Sequence, residues 1–449
     1  MQVLRQKSPK IIKLTILMIF LRFLTLIWVN SEYISGKKIM LTLDLNLDHS
    51  NQEFLDNPYP IFAKLRAESP VVWDTKFQTG YSNGVGAWHI LSYADIQTLL
   101  HDRRISSGIP PIDLERYPPE VRKFISQLFS ITQKAMVFSD PPKHTRLRSL
   151  VGKAFNPHAV EHMRPRIQEI VDGLLDNLQD RTKIEFIQDF AEQLPINVVA
   201  DLIGFPREDH HRIKNWSTSD VGLFGGAEIS LESAYHSRIE FLNYIQEQID
   251  RRRQHPGTDL LSALIAVQEE GDRLSNAELE GMVWSLILAG YETTVNILGN
   301  GFLAFLKHPE QLQLLRENPA LVETAVEEML RYDTTLILIH RIAKEDLDFK
   351  GNFIKAGQDI YLWLGSANRD PDVFANPEQF DITRQHNPHI GFGYGIHLCL
   401  GAPLARLEVQ IALRTILQRL PEFHLAPEGY QRGSNPGVRG LKSLPLILS

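Results

Sequence analysis

Phe392-Gly393-Tyr394-Gly395-Ile396-His397-Leu398-Cys399-Leu400-Gly401 is the stretch on which the reading of this chain turns, because it carries the only cysteine in 449 residues. A lone cysteine is by default a small buried hydrophobe. Its neighbours point elsewhere. Glycines at 393, 395 and 401 let the backbone turn tightly and come close to something flat, as chains do around a ligand. Directly afterwards, Ala402-Pro403-Leu404-Ala405-Arg406-Leu407-Glu408-Val409 reads as a helix with proline in its first turn. The positive end of that helix lies close to the sulfur and favours a thiolate. A thiolate held there suits a soft, electron-rich metal ligand.

The pattern Phe-Gly-x-Gly-x-His-x-Cys-x-Gly resembles the haem-binding loop of the cytochrome P450 family at every fixed position. The resemblance implies that Cys399 is the axial ligand of a haem iron, with Phe392, Gly393, Gly395, His397 and Gly401 around the cofactor. In haem proteins of this kind the thiolate pushes electron density onto the iron and favours cleavage of an O–O bond.

Length alone suggests about three domains at ~150 residues each. No linker-like or low-complexity run divides the chain after residue 50, and no internal repeat is evident, so one large domain around a cofactor fits better. The formal net charge of −7, with no dominant basic stripe, gives no support for nucleic-acid binding. A single cysteine excludes an intramolecular disulfide and suits a reducing compartment such as the cytoplasm.

Residues 1–39 stand apart from the catalytic body expected over 40–449. Between Ile11 and Val29, fifteen apolar residues are interrupted by Lys13, Thr15, Arg22 and Thr25. A run of ~20 residues can span a bilayer. Arg22 near its centre costs about 3 kcal/mol on the insertion scale, which the Leu, Ile and Phe roughly offset. The cations ahead of the run, Arg5, Lys7, Lys10 and Lys13, would send the body across the membrane, away from cytoplasmic reductants. Met40 opens a stretch like the start of a soluble protein. The reading is an upstream extension or a misassigned start, with a membrane anchor over residues 11–29 as the alternative.

Along the body, Asn57-Pro58-Tyr59-Pro60 reads as a turn entering a helix, and Val71 to Phe77 with Ala87 to Leu91 as a hairpin about Gly80, Asn83, Gly84 and Gly86. Pro110-Pro111 and Pro118-Pro119 suggest a broken, loop-rich stretch over 101–135. Residues 160–255 read as several helices interrupted at Gly222 to Gly226. A helix enters at Asp140-Pro141-Pro142 with His144 and Arg148 four apart on one face. Alone these two read as a solvated basic face. The segment also resembles the family's propionate-binding helix, with His144 and Arg148 at the matching positions; an arginine can grip a carboxylate in bidentate fashion. The same likeness makes residues 205–235 a mobile cover over the substrate entrance.

Ser275-Asn276-Ala277-Glu278 has the spacing of a capping box before an apolar run ending near Lys307-His308-Pro309. Thirty residues of helix are ~45 Å long. Its middle, Ala289-Gly290-Tyr291-Glu292-Thr293-Thr294, breaks the pattern. The bland account is threonines bonding back to their own turn with Glu292 at the surface. An acid inside an apolar helix instead calls for a partner or a purpose. The stretch resembles the family's oxygen-activating motif, which implies hydrogen bonding by Thr293, proton relay by Glu292 and room for dioxygen at Gly290.

Glu328 and Arg331 are i,i+3 on a helix, by themselves an ordinary exposed pair. They match the family's buried Glu-x-x-Arg, whose third member comes from a later Pro-x-Arg-Phe; here Pro377-Glu378-Gln379-Phe380 has glutamine there. His340-Arg341 resembles the segment supplying another propionate arginine, so Arg341 and His397 complete the candidates. Asp346 to Leu364 reads as a small β-meander.

The resemblance covers roughly residues 50–449. It implies a mainly α fold with a small β region, holding one haem b between the long helix and the cysteine loop. The implied reaction is monooxygenation: O2 and two electrons insert one oxygen into a small hydrophobic organic substrate. No flavin or nicotinamide module is evident, so electrons come from a ferredoxin or flavodoxin with its NAD(P)H reductase. Lys143, Arg146, Lys153, Arg406 and Arg414 are candidates for a basic docking face on the thiolate side. A peroxide-driven peroxygenase and a non-catalytic haem sensor or carrier are the alternatives.

Overall fold

Helices carry most of the chain, and their boundaries follow from local chemistry. The computed structural model describes residues 52–77, 86–109, 113–225, 231–269, 274–420, 422–435 and 437–448. All belong to the compact unit Thr42–Ser449. The extension or anchor expected over residues 1–39, the hairpin turn with Gly80, Asn83 and Gly84, and Pro110-Pro111 lie outside the described residues.

Helix α1, Tyr59–Glu68, starts behind Pro58 with Pro60 in its first turn, as the turn signal requires. Strands β1, Val71–Asp74, and β2, Ala87–Ile90, pair antiparallel. Strand β3, Ile105–Ser106, follows, and then α2, Pro119–Thr132. The loop-rich reading of 101–135 therefore fails in its second half. Pro119 occupies a first-turn position, where a missing N–H costs nothing, so the proline pair starts a helix and does not break one.

Helix α3, Lys143–Ala154, carries His144 and Arg148. Helix α4, Gln193–Ile203, is closed by Gly204 at φ +94°, whose amide returns to Ala200 O at 3.0 Å. Helices α5, His210–Gly225, and α6, Leu231–Gln254, pack together. The interruption expected over Gly222 to Gly226 falls at the end of that range: α5 runs through Gly222, since one glycine costs a helix only about 1 kcal/mol, and ends at Gly225.

Helix α7, Asn276–Lys307, has 32 residues and the reciprocal capping box read from the sequence: Ser275 Oγ accepts from Glu278 N at 3.3 Å, and Glu278 Oε2 accepts from Ser275 N at 2.8 Å. It passes through the main core, against α4 and beside α8, Val322–Tyr332. Strands β4, Ile339–Ala343, and β5, Asp359–Leu362, complete a five-stranded sheet in the order β1-β2-β5-β4-β3. The meander expected over 346–364 is thus divided. Leu347–Phe349 and Asn352–Ile354 form a hairpin, with Lys350 and Gly351 both at positive φ, while β5 runs parallel to β2 and antiparallel to β4. Helix α9, Ala402–Arg419, follows the cysteine loop and packs on α8.

Candidate active site

The cysteine loop is held by its own backbone. Gly393 N donates to Ile390 O at 2.8 Å, Leu398 N to Gly395 O at 3.1 Å, and Cys399 N to Phe392 O at 2.9 Å. Gly393 and Gly395 sit at φ +74° and +71°, the left-handed region that other residues avoid. A side chain at Gly395 would also meet Leu100 O at 3.1 Å. At Gly401 the demand is weaker, since an added Cβ would rest 3.9 Å from the Cys399 sulfur, an ordinary contact.

Cys399 is exposed by accessible area, yet burial is the largest influence on its thiol. Both hold for a group facing an enclosed space lined by protein. Burial raises the thiol; the amides of Gly401 and Ala402 at the start of α9 and the charges of Arg148 and Arg406 pull the other way without winning. The helix start therefore does reach the sulfur, but a stable thiolate needs a stronger cation. Beneath the loop, Arg406 lies 4.6 Å from the Phe392 ring centre and grips Glu327 with bonds of 2.7 and 2.8 Å. Burial pushes Glu327 up, but the hydrogen bonds from Arg406 and His389 prevail and hold it at about 2.

The four basic side chains named from the sequence come from three elements and meet. His144 and Arg148 stand on α3, Arg341 on β4 and His397 in the loop. The His144 and His397 ring centres are 4.2 Å apart. His397 is pushed down to about 3, first by burial and then by the charges of Arg341, His144 and Arg148. Burial likewise lowers His144 and takes Arg341 down to about 10. Among the described residues the anion opposing these shifts is Asp140, which accepts from Ser106 Oγ at 2.5 Å and Ser107 N at 3.0 Å. Both Nε2 atoms, of His144 and of His397, are buried without a hydrogen-bond partner.

Such a cluster fits a dianion. Two carboxylates would accept from the imidazoles and guanidiniums together and lift the mutual repulsion. Among the described residues no group of three or more His, Cys, Asp or Glu could hold a metal ion. Cys399 would then be the protein's one ligand, with the remaining ligands arriving with the metal. A haem meets both requirements, so the residues present fit that cofactor.

In the middle of α7, Ala289 is exposed and Leu288, Gly290, Glu292 and Thr293 are half-buried, between turns that are largely buried. Burial raises the Glu292 carboxyl to about 7. Thr293 Oγ donates to Ala289 O at 2.6 Å, the back-bond of the bland account. At Gly290 an added Cβ would meet Val199 Cγ2 of α4 at 3.2 Å, so the missing side chain also serves a close helix crossing.

The sequence profile of the Cytochrome P450 family matches residues 231–440. A biotin biosynthesis cytochrome P450 of Bacillus subtilis (strain 168) is 39% identical over 399 residues, 88% of this chain and 98% of the relative. The chain belongs to the cytochrome P450 family. The cytochrome P450 monooxygenase PikC of Streptomyces venezuelae is 38% identical over 90% of this chain and 94% of its own. The crystal structure of P450BioI in complex with hexadec-9Z-enoic acid ligated acyl carrier protein superposes with a TM-score of 0.80 at 39% identity, covering 88% of this chain and all of that one. The protein is therefore an oxidoreductase of the monooxygenase class with haem as its cofactor. Among the described residues no helix is long and apolar enough to cross a membrane.

Two further features of the scaffold were not legible. Glu328 and Arg331 are fully buried, as the family resemblance implies and unlike the exposed pair that their spacing alone suggests. The third charge, absent at Gln379, comes from Arg384, whose Nε lies 3.2 Å from Glu328 Oε2; Arg331 uses the carbonyls of Asn368, Pro377 and Gln379. The basic docking face is also smaller than expected. Arg146 pairs with Glu278 and Arg406 with Glu327, leaving Lys153 and Arg414 exposed.

Proposed function

We propose that the protein carries one haem b, ligated by Cys399, and uses it to hydroxylate an elongated hydrophobic substrate such as an acyl or polyketide chain. The convergence of His144, Arg148, Arg341 and His397 beside the cysteine is the observation that carries the reading. In this reading the four basic groups bind the cofactor's two propionates, and Phe392, Gly393, Gly395 and Gly401 shape the loop around it. The haem supplies dioxygen binding and two-electron reduction. Thr293, whose hydroxyl donates to Ala289 O, would offer that proton to the cofactor pocket. Glu292, titrating at about 7, holds a proton that it can release and recover near neutral pH. The substrate class draws on the relatives, which include a polyketide biosynthesis enzyme, a vitamin D(3) 25-hydroxylase and the structure with a C16 acyl chain on its carrier.

Electrons would come in the cytoplasm from a ferredoxin or flavodoxin with its NAD(P)H reductase. The test begins with the reduced, carbon-monoxide-bound spectrum, where a strongly red-shifted Soret band marks thiolate ligation, and with haem content per chain. Cys399→Ala should abolish that band; a variant that keeps it refutes the assignment. Fatty acids, free and carrier-bound, should then shift the spin state and be hydroxylated when a ferredoxin or flavodoxin system replaces peroxide.

A further inference from the structure

We propose that His158 and His162 form a second metal site, separate from the haem, in which the two imidazoles chelate one divalent ion of the copper, nickel or zinc type. The stretch His158-Ala159-Val160-Glu161-His162 sets two histidines four apart, the spacing that places both side chains on one face of a helix.

The fold realises that spacing on a fixed platform. The helix Pro157–His162 is entered at Asn156, whose Oδ1 accepts from Ala159 N at 3.0 Å, with Pro157 in the first turn. Met163 keeps helical dihedrals, φ −77° and ψ −13°, so the chain runs on into the helix Arg164–Asp176. Val160 is buried in the main core and pins the inner face of the turn. His158 and His162 are both exposed on its outer side.

The two ring centres are 4.1 Å apart, with their planes at 53°. Two imidazoles side by side on one ion, each nitrogen about 2 Å from the metal, stand only slightly further apart. His162 Nδ1 lies 2.8 Å from His158 O. A carbonyl can only accept, so Nδ1 carries the proton and the lone pair stays on Nε2. Metal-binding histidines use this arrangement, with the second nitrogen donating to a carbonyl to orient the ring. One of the two ligands is therefore already set in the metal-binding tautomer.

The surroundings decide which ion fits and what it can do. Among the described residues no third His, Cys, Asp or Glu completes the pair, so water fills the remaining positions. Glu161, the acid between the histidines, is held by Arg164 Nε and Nη2 at 2.5 and 3.1 Å. It is thereby withheld as a ligand and as a base, and a spacing known from zinc hydrolases here serves binding without hydrolysis. Two nitrogen ligands and no carboxylate favour Cu2+, Ni2+ and Zn2+ over Mg2+ and Ca2+, with Cu2+ bound most tightly.

Cu2+ is the probe, titrated into the holoenzyme and followed by calorimetry, by the copper EPR difference spectrum and by the Soret band. One ion should bind with splitting from two nitrogens while the Soret band stays in place; Ni2+ and Zn2+ should compete, and Mg2+ should not. His158→Asn and His162→Asn should each lower the affinity of that site at least about tenfold, because a single imidazole cannot chelate. Thermal stability and the carbon-monoxide spectrum should stay as in the wild type, since both side chains are exposed. Glu161→Gln should keep the two-nitrogen signal. No saturable binding, competition by Mg2+, copper binding unchanged in both histidine variants, or loss of the signal in Glu161→Gln overturns the proposal.

Discussion

Replacing Arg384 by methionine tests whether this chain has moved the third charge of its structural clamp five residues beyond Gln379. Arg384 Nε stands 3.2 Å from Glu328 Oε2, with the two side chains 9% and 0% exposed. At that separation and an effective dielectric of ~20 the gross attraction is roughly 5 kcal/mol. Desolvating the guanidinium cancels much of it, leaving about 1.5–3 kcal/mol for a charged hydrogen bond. Methionine keeps the apolar stem, so the loss isolates the head group, including its 2.8 Å bond to Ala375 O. Glu328→Gln should cost more, about 3–5 kcal/mol, because it strands Arg331 and Arg384 together. Gln379→Arg should gain nothing, since the Gln379 side chain is exposed and only its carbonyl meets Arg331. Denaturant unfolding of the holoenzyme, followed by circular dichroism and the Soret band, gives all three values. If Arg384→Met falls within about 0.5 kcal/mol of the wild type, or matches Glu328→Gln, the clamp is not what the distances imply.

Further tests follow from other buried charges. Glu292 has a folded value of about 7, above its ordinary 4.5, so its contribution to stability is complete below pH ~4.5 and is lost as pH rises to about 7. Relative to Glu292→Gln, wild-type stability should therefore decline over that window, and the wild-type turnover rate should fall through pH ~7 while the variant's slower rate stays flat. Burial drives Glu408 well above the usual carboxylate range, and its Oε2 lacks a partner. Glu408→Leu should be more stable than the wild type by about 1–3 kcal/mol at alkaline pH, with the difference shrinking towards pH 4.5, as read from melting curves. Asp220 joins α5 to α6 and α7, accepting from Arg238 Nε and Trp284 Nε1, both at 2.7 Å. Asp220→Asn should cost about 3–5 kcal/mol and speed hydrogen exchange in α5, α6 and α2, because Arg238 also reaches Leu128 O at 3.1 Å.

What could be read from the sequence was what acts over a few residues. The capping box of α7, the proline entry of α1 and the glycine turns of the cysteine loop each depend on neighbours within four or five positions. The pairing of β5 with β2 was hidden, because 268 intervening residues separate Ile90 from Asp359 and the strand pattern says nothing about which edge receives it. Charge partners were hidden for the same reason. Arg146 and Arg406 read as free cations until the fold brings up Glu278, 132 residues away, and Glu327, 79 residues away. Gly290 shows the reverse case. Its motif was legible, but the helix crossing that the glycine also serves, against Val199, was not.

The cysteine and the basic quartet make one argument together that neither makes alone. Burial disfavours a negative sulfur at Cys399, and the amides of Gly401 and Ala402 do not reverse it. Nearby, burial and mutual repulsion disfavour positive charge on His144 and His397, with Asp140 opposing among the described residues. Arg148 links the two regions, since its charge is felt both at the sulfur and at His397. A lone metal ion would settle the sulfur and worsen the cations; a lone dicarboxylate would settle the cations and leave the sulfur unsatisfied. A ligand with a metal at its centre and two carboxylates at its edge satisfies both at once. Removing its carboxylates, as in an iron porphyrin dimethyl ester, should therefore weaken binding more than Cys399→Ala weakens retention of native haem.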